Sequence, residues 1–169
     1  MNIHVITSSA NSQSLSRALA QQVVAAIRAT GATCHVWDIR DLPPTWCDGR
    51  SLADYPAEYG TLHQQLRQAD GVIWAVPIYG AAVSGASKNV LDIIGDAFSG
   101  KPVAVVSAAG GPRSYLAIKE FMIAMVFEFR AYLFPYTVQI HDAAELEAHA
   151  GRIDEFATNF VAMVTRLAA

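Results

Sequence analysis

The sequence predicts an α/β fold of three layers, with helices on both faces of a five-stranded parallel sheet in the strand order 2-1-3-4-5. Three observations carry that expectation. Short apolar runs alternate with stretches whose apolar residues recur at helical spacing, the pattern of strand–helix units joined by right-handed crossovers. The runs from Gly71 to Val76 and from Pro102 to Ser107 are almost continuously apolar, as in strands covered on both faces. Pro135 falls inside the last strand-like run, and proline is tolerated at a sheet edge but not at its centre.

The elements follow in order. Ile3 to Ser8 forms the first strand, and Leu15, Leu19, Val23 and Ile27 place the next helix, which ends at Thr30-Gly31. Thr33 to Ile39 is the second strand. Periodicity is then lost until Tyr59, so a long connection is predicted. Its Trp46, Tyr55 and Tyr59 exceed what a solvated loop needs and should pack over a pocket or a partner. Pro56 suits a first helical turn, and Leu62, Leu66 and Ala69 carry that helix to Asp70. The third strand, from Gly71, is expected to stop at Pro77.

A helix starting near Ser84 buries Val90, Leu91, Ile94 and Phe98 and closes at Gly100. After the fourth strand, the helix over 114–131 is apolar around nearly its whole circumference. It should face the sheet on one side and a second subunit on the other. Leu133 to Ile140 is the fifth strand. Leu146, Ile153, Phe156, Phe160, Val164 and Leu167 then make one long amphipathic helix with acidic residues in its first turns, which favours the macrodipole.

A chain of 169 residues is expected to be one domain spanning 1–169. With 53% hydrophobic and only 16% charged residues, its polar surface is thin, which predicts a homodimer or homotetramer through the helix around Phe121 to Phe129. A net charge of -3 without any lysine or arginine cluster excludes a nucleic-acid partner. The opening MNIHVITSS has the pattern of a strand rather than a leader, and no apolar run is long enough to span a bilayer, so a cytoplasmic location is expected. Cys34 and Cys47 form no Cys-x-x-Cys pair, and the five histidines are scattered, so reduced thiols and no metal are expected.

Three loops rich in small residues leave the carboxyl ends of strands one, three and four, the layout of a switch-point ligand site. Ser8 to Ser16 brings five hydroxyls and Asn11 to a helix start, where unpaired N–H groups and the positive dipole end attract an anion. A lone serine there would be a cap; five exceed what a cap needs. No Gly-x-x-x-x-Gly-Lys-Ser/Thr and no Gly-x-Gly-x-x-Gly follows the first strand, which disfavours nucleotide hydrolysis and a Rossmann-type site. Strand three ends without an acceptor aspartate, and no Gly-x-Ser-x-Gly elbow is present, which disfavours a receiver domain and the simplest hydrolase.

Ser9 and Ser14 in the first loop, Pro77, Tyr79, Gly85, Lys88, Asn89 and Asp92 in and after the second, and Ser107 before Gly110-Gly111 in the third resemble the NADPH-dependent FMN reductases of the flavodoxin-like fold. The resemblance covers most of the chain. The stretch AAVSGASKNVLD looks most like the branch that supplies reduced flavin to two-component monooxygenases. The resemblance implies FMN as cofactor and NADPH or NADH as hydride donor. Ser9, Asn11, Ser14, Leu15 and Ser16 would hold the FMN phosphate. Pro77, Ile78, Tyr79 and Gly80 would flank the isoalloxazine, while Ser107, Gly110 and Gly111 would meet its pyrimidine edge. Arg113 is a candidate contact for the nicotinamide nucleotide.

No catalytic side chain is implied, because hydride passes to N5 of the flavin itself. Reduced flavin would serve a small-molecule acceptor or a flavin-dependent monooxygenase. Two alternatives remain: an FMN-bound quinone- or azo-type reductase, and a non-enzymatic flavodoxin-like electron carrier. Local structural roles are expected for Lys88, Asn89 and Asp92. Two residues depart from the family pattern. Asn11 stands at the usual arginine, removing a positive charge from the phosphate site and implying weaker FMN retention, and Gly80 stands where many members carry asparagine.

Overall fold

The computed structural model describes residues 1–168. Strand β1 (Asn2–Thr7) lies between β2 (Thr33–Asp38) and β3 (Gly71–Tyr79), parallel to both. β3 pairs in parallel with β5 (Pro102–Ala108). The outer edge of β5 carries two short pieces, β6 (Tyr132–Leu133) and β7 (Gln139–Ile140), also parallel. Taking these two as one interrupted edge strand gives the flavodoxin-like order 2-1-3-4-5. The sheet nevertheless has seven strand segments, not five. The edge strand is broken over 134–138, where Pro135 can donate no ladder hydrogen bond, and an additional strand, β4 (Ala82–Val83), pairs antiparallel with the end of β3.

β4 exists because β3 does not stop at Pro77 but continues to Tyr79. The Ala75 carbonyl accepts from Ser8 N–H, so Ala75, and with it Pro77 two positions on, faces the β1 side. The carbonyl opposite Pro77 in this register is that of Ser8, and it accepts from the Ser84 hydroxyl at 3.4 Å instead, so the N–H that Pro77 lacks leaves no orphaned acceptor. The strand therefore runs through the proline. The Pro77 carbonyl accepts from Ser84 N–H at 3.0 Å, closing a hairpin whose two central residues, Gly80 and Ala81, have φ of 58° and 61°. Both values fit a two-residue type I′ turn.

Helices α1 (Leu15–Ala29) and α6 (Ala150–Ala168) cover one face, where Leu19, Val23, Phe156 and Phe160 pack on Val5, Ile73, Ala104 and Val106. On the other face, α2 (Ala57–Gln68), α3 (Gly85–Ile94) and α4 (Lys119–Phe127) bring Leu66, Leu91 and Phe121 against Val72, Trp74 and Val105. Successive residues of a strand point to opposite faces, so continuous apolar runs were required to feed both cores. The last helical region is split into α5 (Ala144–Ala148) and α6 rather than forming one helix. The connection after β2 holds two short helical turns, Ile39–Asp41 and Leu52–Asp54. Its aromatics divide: Tyr55 and Tyr59 enter the core, while Trp46 stands exposed.

α4 is shorter than the predicted 114–131 and is preceded by a short turn, Pro112–Ser114. Phe121 and Met125 are buried, whereas Ile123 and Phe127 are exposed, Phe127 to 81%. Within one chain, therefore, this helix is covered on one side alone.

Candidate active site

The carboxyl ends of β1, β3 and β5 and the residue after β7 meet at a cleft of about 230 Å³. Its floor on the β1 side is the serine turn. Ser8 is fully buried and belongs to the scaffold: its hydroxyl donates to the Ala75 carbonyl at 3.1 Å and accepts from Ser87 Oγ at 2.7 Å. Ser87 in turn lies 2.8 Å from Ser84, whose hydroxyl caps α3 by accepting from Ser87 N–H. This buried chain of hydroxyls ties the turn to the start of α3, so three serines have structural work outside the cleft.

Ser9, Ser14 and Ser16 shape the cleft, while Ser12 is exposed outside its lining. Ser9 Oγ accepts from Asn11 N–H at 3.3 Å, and Asn11 Oδ1 accepts from Gln13 N–H at 2.9 Å, an Asx-type turn. Ser14 is the N-cap of α1, accepting from Arg17 N–H at 3.2 Å, and its hydroxyl is 2.9 Å from that of Ser16. The N–H groups of Ser14, Leu15 and Ser16 make no hydrogen bond among the described residues. Free first-turn donors beside two hydroxyls, at the positive end of a helix, are a donor set suited to a phosphate.

Ser9, Asn11, Ser14, Leu15 and Ser16 all line this cleft, with Gln13 added. Pro77, Ile78 and Tyr79 form the opposing wall, and Tyr79, 55% exposed, ends β3 at its rim. Gly110 lines the third side together with Ala108 and Ala109. An apolar wall facing a run of backbone suits a flat ring with a polar edge.

Four predicted residues lie outside the lining. Gly80 is one turn residue beyond Tyr79 and sets the β3–β4 hairpin. Ser107 is fully buried, and its hydroxyl donates to Gln139 Oε1 at 3.2 Å, so its side chain braces the sheet edge. Gly111 and Arg113 follow the cleft-lining Gly110, with Arg113 in the turn Pro112–Ser114. Asn89 and the Lys88–Asp92 pair are likewise away from the cleft: Asn89 clamps the long connection through Cys47 N–H at 2.8 Å and the Thr45 carbonyl at 3.0 Å, and Lys88 meets Asp92 one turn on.

His141, immediately after β7, also lines the cleft. Gln139 Oε1 already accepts from Ser107, so the Gln139 amide donates to His141 Nε2, 3.1 Å away. The ring proton then sits on Nδ1, facing Glu145 at 3.3 Å. Hydrogen bonds from His141, its backbone N–H first (2.7 Å) and its ring second, hold the Glu145 carboxyl below the usual carboxylate range. Nothing in the sequence marked His141, because its partners assemble only where β7 pairs with β5. A larger cavity of about 520 Å³ lies between the long connection and α3, walled by Leu42, Trp46 and Val90 among others. The cleft is distinguished by its donors, not by size.

The profile of the family described as NADPH-dependent FMN reductase matches residues 1–145. The chain belongs to that family.

Two relatives illustrate the range of FMN reductase kin. An NAD(P)H-dependent FAD/FMN reductase of Geobacillus thermodenitrificans is 29% identical over 105 residues, covering 62% of this chain and 57% of the relative. A quinone reductase of Escherichia coli is 28% identical over 137 residues, covering 70% of this chain and 73% of the relative. Among solved structures, a flavoenzyme NAD(P)H:(acceptor) oxidoreductase of Paracoccus denitrificans superposes with a TM-score of 0.80 at 22% identity, covering 98% of this chain and 97% of that one. At that identity the likeness shows the fold, which a flavodoxin shares.

Proposed function

We propose that this FMN reductase family member binds FMN in the cleft and passes hydride from NADPH or NADH to the flavin, with residues 1–169 acting as one FMN-binding domain. The observation that carries the reading is the meeting of free helix-start donors with the apolar end of β3 on one cleft. Ser9, Asn11, Ser14, Leu15 and Ser16 hold the phosphate by hydroxyls and amides. Pro77, Ile78 and Tyr79 give the ring a dry wall, and the backbone from Ala108 to Gly110 meets its polar edge. When bound, the flavin supplies the redox chemistry at its own N5. The protein therefore need only orient the ring against a nicotinamide and limit water, and Tyr79 at the rim is placed to do both. Arg113, in the turn after Gly111, is retained as the candidate nicotinamide-nucleotide contact.

The likeness to a quinone reductase supports a second reading, in which FMN stays bound and a quinone-type small molecule takes the electrons; the first reading hands reduced flavin to a monooxygenase. Release of reduced flavin during turnover separates them. No helix among the described residues is long and apolar enough to cross a membrane, and a cytoplasmic location is part of the proposal. Anaerobic mixing of the protein and FMN with NADPH, and separately with NADH, tests the activity. Bleaching of the oxidised-flavin absorbance with at least one nucleotide, faster than without protein, is expected. No acceleration with either would refute a reductase.

A further inference from the structure

The serine turn, residues 8–16, contains no lysine or arginine, yet a guanidinium lies directly against it. Arg17, in the first turn of α1, donates through Nη2 to the Ser9 carbonyl at 2.8 Å. Through Nη1 it donates to the carbonyls of Asn11 at 2.9 Å and Ser12 at 3.5 Å. Its Nε donates to Asp38 Oδ2 at 2.9 Å, and the side chain is only 14% exposed. Few side chains could do this: the rigid planar fork presents five donors and keeps its charge at any working pH.

We propose that Arg17 is the positioning residue of the phosphate turn, supplying from behind both its shape and its positive charge. Shape follows from peptide geometry. In a trans peptide, the carbonyl of one residue and the N–H of the next point in opposite directions. Gathering the Ser9, Asn11 and Ser12 carbonyls onto one guanidinium turns their negative ends away from the cleft side of the turn. Arg17 itself does not line the cleft; with Thr7 and Asp38 it lines a separate cavity behind the turn.

Charge follows from the partner count. Burial pushes the Asp38 carboxyl up, but hydrogen bonds from Arg40 and Arg17 outweigh it and bring its pKa to about 2, so it is ionised. That carboxylate is shared between Arg17 and Arg40, which it meets at 2.7 Å. Arg40 is also drawn to Asp41. Among the described residues, however, the carboxylate that touches Arg17 is Asp38 alone, and it divides both its oxygens between the two guanidinium groups, so it does not cancel Arg17 in full. A cation thus stands behind a turn whose own side chains carry none.

This inference rests on the phosphate reading of the cleft, and riboflavin, which lacks the phosphate, separates the two. Flavin fluorescence titrations would give FMN and riboflavin affinities for the wild type, Arg17→Met and Arg17→Lys, each with a thermal melt. The wild type is expected to prefer FMN. Arg17→Met should reduce that preference about tenfold or more, the scale of a charge-assisted hydrogen-bond set, while riboflavin affinity changes little. Arg17→Lys, with charge but no fork, should recover only part. An unchanged FMN-to-riboflavin ratio in Arg17→Met, or full recovery in Arg17→Lys, would overturn the positioning role while leaving the phosphate reading intact. A wild type that binds both flavins equally would sink the phosphate reading and this inference with it. If Arg17→Met does not melt cooperatively, the Arg17→Lys ratio decides, a value equal to wild type counting against the proposal.

Discussion

Ala81 holds a φ of 61° beside Gly80 at 58°, a conformation that costs an L-residue with a Cβ about 1–2 kcal/mol. Replacing Ala81 with glycine removes that cost and adds a smaller entropic one, so Ala81→Gly should stabilise the fold by about 0.5–1 kcal/mol. Urea denaturation would measure it, and a loss of stability would contradict the turn assignment. The same geometry explains why position 80 suits either glycine or asparagine: both tolerate the left-handed region. At this scale the sequence disclosed contiguous chemistry and little else. Ser9, Ser14 and Ser16 were visible because they share one turn. Arg17 looked like an ordinary helix residue, since its role depends on the carbonyl directions of the preceding turn and on Asp38 at the end of β2. His141 was silent for the same reason, its roles being set by Gln139, Glu145 and the pairing of β7 with β5.

At the scale of elements, boundaries followed local signals well where a strand or helix was apolar by itself. Ser14 and Gly31 bracket α1 as the helix-end chemistry predicts. Failures came where a neighbour decided. Pro77 signalled a stop, but the Ser84 hydroxyl serves the Ser8 carbonyl that the missing N–H would have met. The edge strand fragmented around Pro135, between the pieces that pair with the two ends of β5, whereas the other edge strand, β2, has no proline and stays whole. α4 carried no amphipathic stripe, and its two sides differ in the folded chain: Phe121 and Met125 point into the core, Ile123 and Phe127 outward. We propose that the outward side joins a second subunit, as the composition suggested. Phe127→Glu should still fold and melt cooperatively, because the side chain is 81% exposed within one chain, and should shift sedimentation toward the monomer, with a melting temperature lowered only by the lost association. Equal sedimentation of variant and wild type would exclude this helix from an interface. Met125→Glu would be uninformative there, since it places a charge in the core.

At the scale of the whole molecule, the sheet order was legible because a parallel sheet buried on both faces leaves a strong mark: unbroken apolar runs, separated by amphipathic helices. That order sends β1 and β3 to opposite crossovers and opens a crevice at their carboxyl ends, so the location of the site was a consequence of the topology. What topology alone could not supply was the division of labour among the serines, some caught in the buried Ser8–Ser84–Ser87 chain and others left facing the cleft. The central claim is that the cleft-facing serines hold the phosphate of FMN. Ser14→Asp tests it most directly, because aspartate is as good an N-cap as serine and α1 keeps its start while a negative charge enters the proposed phosphate position. Measured by flavin fluorescence titration, FMN affinity is expected to fall by about tenfold or more through like-charge repulsion. An FMN affinity equal to that of the wild type would contradict the account.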